Sequence, residues 1–387
     1  MRKKVCFILI ITLMFIIIFI PINSVWAVSE NETIKQQQGE FKIQNFLKNS
    51  KEYTGEFFED IDINEILNRA IKGEVDNSTL LKKILNLLGA EVVDNVKTIV
   101  SILAIIVIHS ILKSISESLE NDGIAKLIYY VQYILIVTII MTNFSDIVEL
   151  VQDTTSNLVG FMNMLVPLLI SLMLYTGSIT TSSIIEPIIL FMINFIGNMI
   201  QNIIVPFVLI LTSLVIISKI SDRVQIDKLS KFLKSGITWF LGIVLTIFVG
   251  VVSLEGTISS SVDGITAKTA KTVVSSAIPV VGKILGDAVD TVLGCGIILK
   301  NAVGLVGVVV VIGICIIPIL KLAVLSIFYK LLATLVQPVA DGKIVSLLEQ
   351  IGDIFKIFLG ALSAISVMLI IGTTLVLRMS NSSMMYR

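Results

Sequence analysis

The residues of this chain that could do chemistry are charged and amide side chains set inside apolar runs. In the segment Ile278 to Leu299, Lys283, Asp287, Asp290 and Gly294 share one helical quadrant, while Val280, Ile284, Leu285, Val289 and Val292 fall elsewhere. Lys283 and Asp287 also form an i, i+4 pair. Two readings stand side by side. One is an amphipathic helix lying flat at a membrane interface. The other is a re-entrant or pore-lining helix, because charges at membrane depth must face protein or water. Lys330 follows Phe328 and Tyr329 in a further apolar stretch. A mid-span lysine costs about 2.5–3.5 kcal/mol on insertion scales. It therefore needs a partner such as Asp287 or Asp290, or a place at the surface. Asn194, Asn198 and Gln201 stand at i, i+4 and i+7. They form either one wall of an aqueous path or helix–helix glue, at about 0.6 kcal/mol per bond.

Other chemistries find little footing. His109 is the one histidine, and no second His or Cys stands at ligand spacing, so no metal site is expected. A phosphate-binding Gly-x-x-x-x-Gly-Lys-Ser/Thr loop is absent, so any ATP would be used by a partner. No cofactor is expected. An intramembrane enzyme would need a reactive pair on facing spans, and Asp287 and Asp290 share one helix. The expectation is a protein without catalysis of its own.

These residues are positioned by a membrane protein. Hydrophobic residues make up 55% of the chain and charged ones 15%, against about 25% charged in an average globular chain. The formal net charge is zero, which argues against nucleic acid as a partner. Arg2, Lys3 and Lys4 precede an apolar run from Val5 to Ile20, then Pro21 and Val25-Trp26-Ala27. That is the pattern of a secretory signal peptide over residues 1–27, cut between Ala27 and Val28. Cys6 would leave with it, and Cys295 and Cys315 lie in apolar segments, so no disulfide framework follows.

Residues 28–96 read as an exported, mildly acidic segment with 13 acidic and 8 basic side chains. Its start, Ser29 to Glu40, reads as a disordered leader. Phe57, Phe58, Ile61, Ile66, Leu67 and Ala70 recur at helical spacing, and a second helix begins near Ser78. Such short helices bury little by themselves, so they are expected to pack on a partner or the membrane surface. Residues 97–387 form an all-α polytopic membrane domain of eight or nine spans. The candidates are Thr98–Leu112, Leu127–Phe144, Leu158–Tyr175, Ile184–Ile200, Ile203–Ser218, Ile237–Leu254, Ala302–Leu320, Leu322–Val339 and Ile357–Leu377. The fourth and fifth form a tight hairpin broken at Gln201-Asn202, and the eighth is uncertain because it centres on Lys330. A polar loop and an amphipathic or re-entrant stretch occupy 255–301. Gly304 with Gly307, and Gly360 with Ala364, offer small faces for close packing. With residue 28 outside, Lys219, Arg223, Lys228, Lys231 and Lys234 face the cytoplasm, and Asp146, Glu149 and Asp153 face out. Nine spans would also place Arg378 and Arg387 inside.

Several runs carry a family resemblance. Gly264-Ile265-Thr266-Ala267-Lys268-Thr269-Ala270-Lys271, Ile278-Pro279-Val280-Val281-Gly282-Lys283, Asp287-Ala288-Val289-Asp290-Thr291-Val292 and Leu299-Lys300-Asn301-Ala302-Val303-Gly304 resemble the stage III sporulation protein AE family. So do Gln201-Asn202-Ile203-Ile204-Val205-Pro206 and Tyr329-Lys330-Leu331 with Gln337-Pro338. The resemblance covers nearly the whole mature chain and is strongest from about 200 to 340. It implies a multi-pass protein of the mother-cell-derived membrane around the forespore, within a channel-like or secretion-like complex that sustains late forespore gene expression. The implied partners are the other proteins of the same operon, including a secretion-type ATPase and ring-forming proteins, with a forespore-side receptor. It supplies no catalytic residues. A self-sufficient secondary transporter is the rival expectation.

Overall fold

A computed structural model describes residues 34, 38–39, 41–58, 62–73, 77–118, 122–220, 228–251 and 281–382. The signal-peptide reading, the cut at Ala27 and Val28, and the polar loop over 255–280 fall outside these residues. Among the described residues the structure is helical without strands.

The first two helices with described bounds are short, α1 (Ile43–Thr54) and α2 (Ile63–Lys72), joined by a 3-10 turn at Gly55–Phe58. Six long apolar helical rods follow. They are α3 (Asn77–Ser118), α4 (Asp122–Tyr175), α5 (Ile179–Met199) continuing into α6 (Val205–Ile220), α7 (Lys228–Val251), α8 (Val281–Val336) and α9 (Gly342–Ser382). Each is long and apolar enough to cross a membrane.

The continuity of the rods corrects the sequence-based map of spans. The second and third candidates are one 54-residue helix, α4, and the seventh and eighth are one 56-residue helix, α8. Pro167 and Pro318 lie inside these helices without ending them. A proline deletes one backbone bond, which a tightly packed neighbourhood tolerates. The expected hairpin at Gln201-Asn202 does not exist. Ile200–Ile204 is a single π-helical turn that carries α5 into α6 in the same direction. The polar pair marks a local widening of the helix rather than a reversal.

The core is the antiparallel pair α8 and α9. Most of the apolar length of α8 and α9 is buried within the bundle, whereas most of that of α3 and α7 is not. Gly304 packs under Leu377 and Gly307 under Leu165, positions where any side chain would collide. The α5–α6 rod lies antiparallel along α4. Tyr133 Oη donates to the Ile216 carbonyl at 2.5 Å near one end, and Asn163 meets Asn194 towards the other.

The N-terminal helices pack on the chain itself. Phe46 and Tyr53 meet Phe161 of α4, Phe41 meets Tyr175, and Phe57 and Phe58 close over Gly313 of α8. Asp62 caps α2 by accepting from the backbone N of Asn64 at 3.0 Å, and Gly73 ends the helix in the left-handed region.

The exposed face of α4 changes character along its length. Ile124, Leu127, Val131, Ile134 and Leu135 are exposed in the first half. From Thr142 to Ser171 every exposed side chain is polar, including Ser145, Asp146, Glu149, Gln152 and Asp153. At 1.5 Å per residue, the apolar stretch of about 20 residues matches a hydrocarbon core of about 30 Å, and the whole helix is about 80 Å long. The exposed face of the second half of α4 is therefore one for water or protein to cover rather than hydrocarbon.

Candidate functional site: a charged triad and an amide seam

Three rods each supply one charged group to a common point. Lys234 on α7 and Lys330 on α8 both bind Asp353 on α9. Lys330 Nζ lies 2.5 Å from Asp353 Oδ1, and Lys234 Nζ holds Oδ2. The aspartate side chain is 21% exposed and each lysine 38%. One carboxylate between two ammonium groups leaves the cluster with a net positive charge. In a bilayer-crossing helix that charge needs water, protein or a further anion nearby.

The backbone is shaped to bring the three together. Ser326, one turn before Lys330, donates to the Gly352 carbonyl at 2.8 Å. Gly352 has no side chain, which lets α9 approach the Lys330 stem, because a Cβ there would sit 3.0 Å from Lys330 Cγ. Tyr329 packs its ring on Phe355 at 5.3 Å between centroids, and Phe144 of α4 closes over Phe355 and Phe358.

Lys330 thus has a carboxylate partner, but not one of the two expected. Asp287 and Asp290 lie on the same unbroken helix as Lys330, about 60 Å up its axis at 1.5 Å per residue. The backbone at Lys283, Asp287 and Asp290 is helical, and their side chains fall outside the described residues. Asp353 and Lys234 escaped the sequence reading. In the sequence Asp353 sits just before the apolar run at Ile357, and Lys234 ends a run of basic loop residues. The signal that could have found them was the need of Lys330 for a counter-ion on a different helix.

The second constellation is the amide seam between α4 and α5. Asn163 and Asn194 exchange two hydrogen bonds, at 3.0 and 3.2 Å, and Asn194 also donates to the Leu190 carbonyl at 2.8 Å. Gln201 Nε2 donates to Ser156 Oγ at 2.7 Å, and Asn202 binds Asn198 within the π-turn region. Asn194 and Gln201 thus join the two helices, whereas Asn198 is engaged along its own rod.

His109 is buried on α3, and Cys295 and Cys315 are buried on α8. Among the described residues no three His, Cys, Asp or Glu side chains converge on a possible metal position. Lys300 is fully buried on α8 and its Nζ donates to the Leu377 carbonyl of α9 at 3.1 Å. This second lysine tie between the two core rods was also missed in the sequence.

Comparison with known proteins gives a consistent result. The chain is 29% identical over 307 residues to the stage III sporulation protein AE of Bacillus subtilis (strain 168), covering 79% of this chain and 77% of that protein. No solved structure matches. The family model described as stage III sporulation protein AE matches residues 61–380, which include the triad, the amide seam and the six rods up to the last two residues of α9, so the chain belongs to the stage III sporulation protein AE family.

Proposed function

We propose that this sporulation protein is a non-enzymatic membrane subunit of a channel-like, secretion-like complex between mother cell and forespore, needed for late forespore gene expression. The observation that carries the reading is the face of α4. It is apolar for one bilayer thickness and then polar for the rest of a helix about 80 Å long. The distal halves of α4 and α8, with α1 and α2 packed on them, make a helical tier beyond the membrane. Such a tier suits a subunit that meets other proteins in the space between two membranes. Its partners on this reading are a secretion-type ATPase, ring-forming proteins of the same operon and a forespore-side receptor. The mother-cell-derived membrane around the forespore is its place.

The six rods also give the reading a topology. Lys126, Lys219, Lys228, Lys231 and Lys343 cluster near one end of the bundle, and residues 127–218 contain no Lys or Arg. The basic end faces the cytoplasm and the polar tier faces out. Six crossings from an exported N-terminus put the C-terminus outside, whereas nine spans put it inside.

Deletion in the native spore former tests the function. The expected result is an engulfed forespore that collapses, and normal spores would sink the reading. The Lys234–Asp353–Lys330 cluster favours one rival, a self-sufficient secondary transporter with its site in the bundle. Transport by the purified protein in vesicles without its operon partners would support that rival.

A further inference from the structure

The cluster of Lys234, Lys330 and Asp353 carries more positive charge than its own carboxylate can balance. Each oxygen of Asp353 is taken by one ammonium group, and among the described residues neither lysine meets another carboxylate. The surroundings do not make up the difference. Within one turn either way along each rod, Lys231, Lys234, Lys330 and Lys356 stand against Asp353 and Glu349. Lys231 and Lys234 are one turn apart on the same side of α7. Both lysines of the triad also remain open to the outside, each with 38% of its side chain exposed.

Position and neighbours select the ligand. All three residues lie within candidate membrane spans, near the ends that also carry Lys228 and Lys343. Lys234 and Lys330 are each about 9 Å from the end of their rod at 1.5 Å per residue. A lysine at that depth keeps its ammonium at the headgroup layer by snorkelling. Beside Lys330, Ile327 and Leu331 share one face of α8 and are exposed. Ile327 stands one turn farther from the rod end than Lys330, so the apolar flank extends from the charge towards the membrane interior. Surplus positive charge selects an anion, and an exposed apolar flank selects an amphiphile over a free ion. We infer that Lys234 and Lys330 bind the phosphate of an anionic phospholipid whose acyl chains lie along Ile327 and Leu331. Basic pockets between spanning helices hold such headgroups. The inference goes beyond the subunit reading and does not depend on it. It needs only that α7, α8 and α9 cross a bilayer.

The test uses the full chain in lipid vesicles. Trp26 and Trp239 are the tryptophans of the chain, and Trp239 is 75% exposed on α7, five residues past Lys234. In a Trp26→Phe background, Trp239 fluorescence reads the lipid beside the site. Phosphatidylglycerol with brominated chains, diluted into plain phosphatidylcholine, should quench it more than brominated phosphatidylcholine at the same fraction. That preference should fall about fivefold for Lys234→Met and for Lys330→Met, the contribution of one basic group near a charged headgroup. Lys234→Arg should keep it. Lys228→Met, which removes an exposed charge less than two turns away, should keep it too. Inorganic phosphate, added against chloride at equal ionic strength, should leave it unchanged. Equal quenching by the two brominated lipids would overturn the inference. So would a preference untouched by the two Lys→Met changes. A preference lowered as much by Lys228→Met would overturn it as well, because it would report attraction to the charged surface at large. Loss of the preference to inorganic phosphate would give the site to a free anion. Most of α7 is unburied, so Lys234→Met carries the test if Lys330→Met does not fold.

Discussion

Asp353 holds two ammonium groups from two different rods, so its removal leaves two like charges facing each other in a low-dielectric bundle. Because the lysines are partly exposed, the penalty falls between the values for surface and buried pairs. Asp353→Ala should lower stability by about 1–3 kcal/mol. Thermal melting in detergent reads the loss, and Asp353→Ala with Lys330→Met should recover part of it, since one surplus charge is then gone. No recovery would mean that packing around Phe355, rather than charge, dominates there. Asp62 offers a pH-dependent case outside the spanning rods. Hydrogen bonds from the Asn64 backbone and side chain hold its carboxyl below the usual aspartate value. A depressed folded pKa contributes stability that is present above the unfolded value and lost as pH falls through the folded one. Protection of the α2 amides, the observed exchange rate set against the intrinsic one, should therefore fall as pH drops below about 4. Asp62→Ala should abolish that extra step and cost about 1 kcal/mol at neutral pH.

At the scale of the element, the least expected contact is the one between the N-terminal helices and the core. Phe57 and Phe58 occupy the space that Gly313 leaves open on α8. Gly313→Leu fills that space and should cost about 1–3 kcal/mol by overpacking. The expected sign is faster proteolysis within residues 41–72 while helix content of the rods is unchanged. Equal protease resistance would show that these helices are held elsewhere. The π-turn at Ile200–Ile204 belongs to the same scale. Its Gln201 is held by Ser156 of α4, and Asn202 by Asn198 one turn earlier on its own rod, so the widened turn is satisfied by these amides.

At the scale of the whole molecule, the number of crossings decides on which side the chain ends. Cysteine labels after Ser50 and at Arg378 should react with an impermeant reagent from outside, and a label at Lys228 should not. Reaction at Lys228 would invert the bundle, and protection at Arg378 alone would restore an odd number of crossings. Ala27→Asp places a charge where signal peptidase takes a small side chain, so the variant should migrate more slowly than the processed wild type. Equal mobility would make Val5 to Ile20 a retained anchor.

The all-α class, the apolar rods, the basic end and the family were legible from local sequence alone. They depend on composition, on periodicity and on charge bias, which are properties of neighbouring residues. The small-residue faces at Gly304 and Gly307 were legible for the same reason, and the structure fills them with Leu377 and Leu165. Whether a polar pair or a proline ends a helix was not legible, because packing partners far along the chain decide it. Gln201 and Asn202 look like a break until Ser156 and Asn198 are there to bind them. The partner of Lys330 was hidden likewise. Asp353 lies 23 residues away in sequence, beyond a turn, and only the antiparallel register of α8 and α9 brings the carboxylate to the ammonium. Local propensity writes the rods, and long-range register, set by the close approach of α8 to α4 and α9, chooses which charges meet.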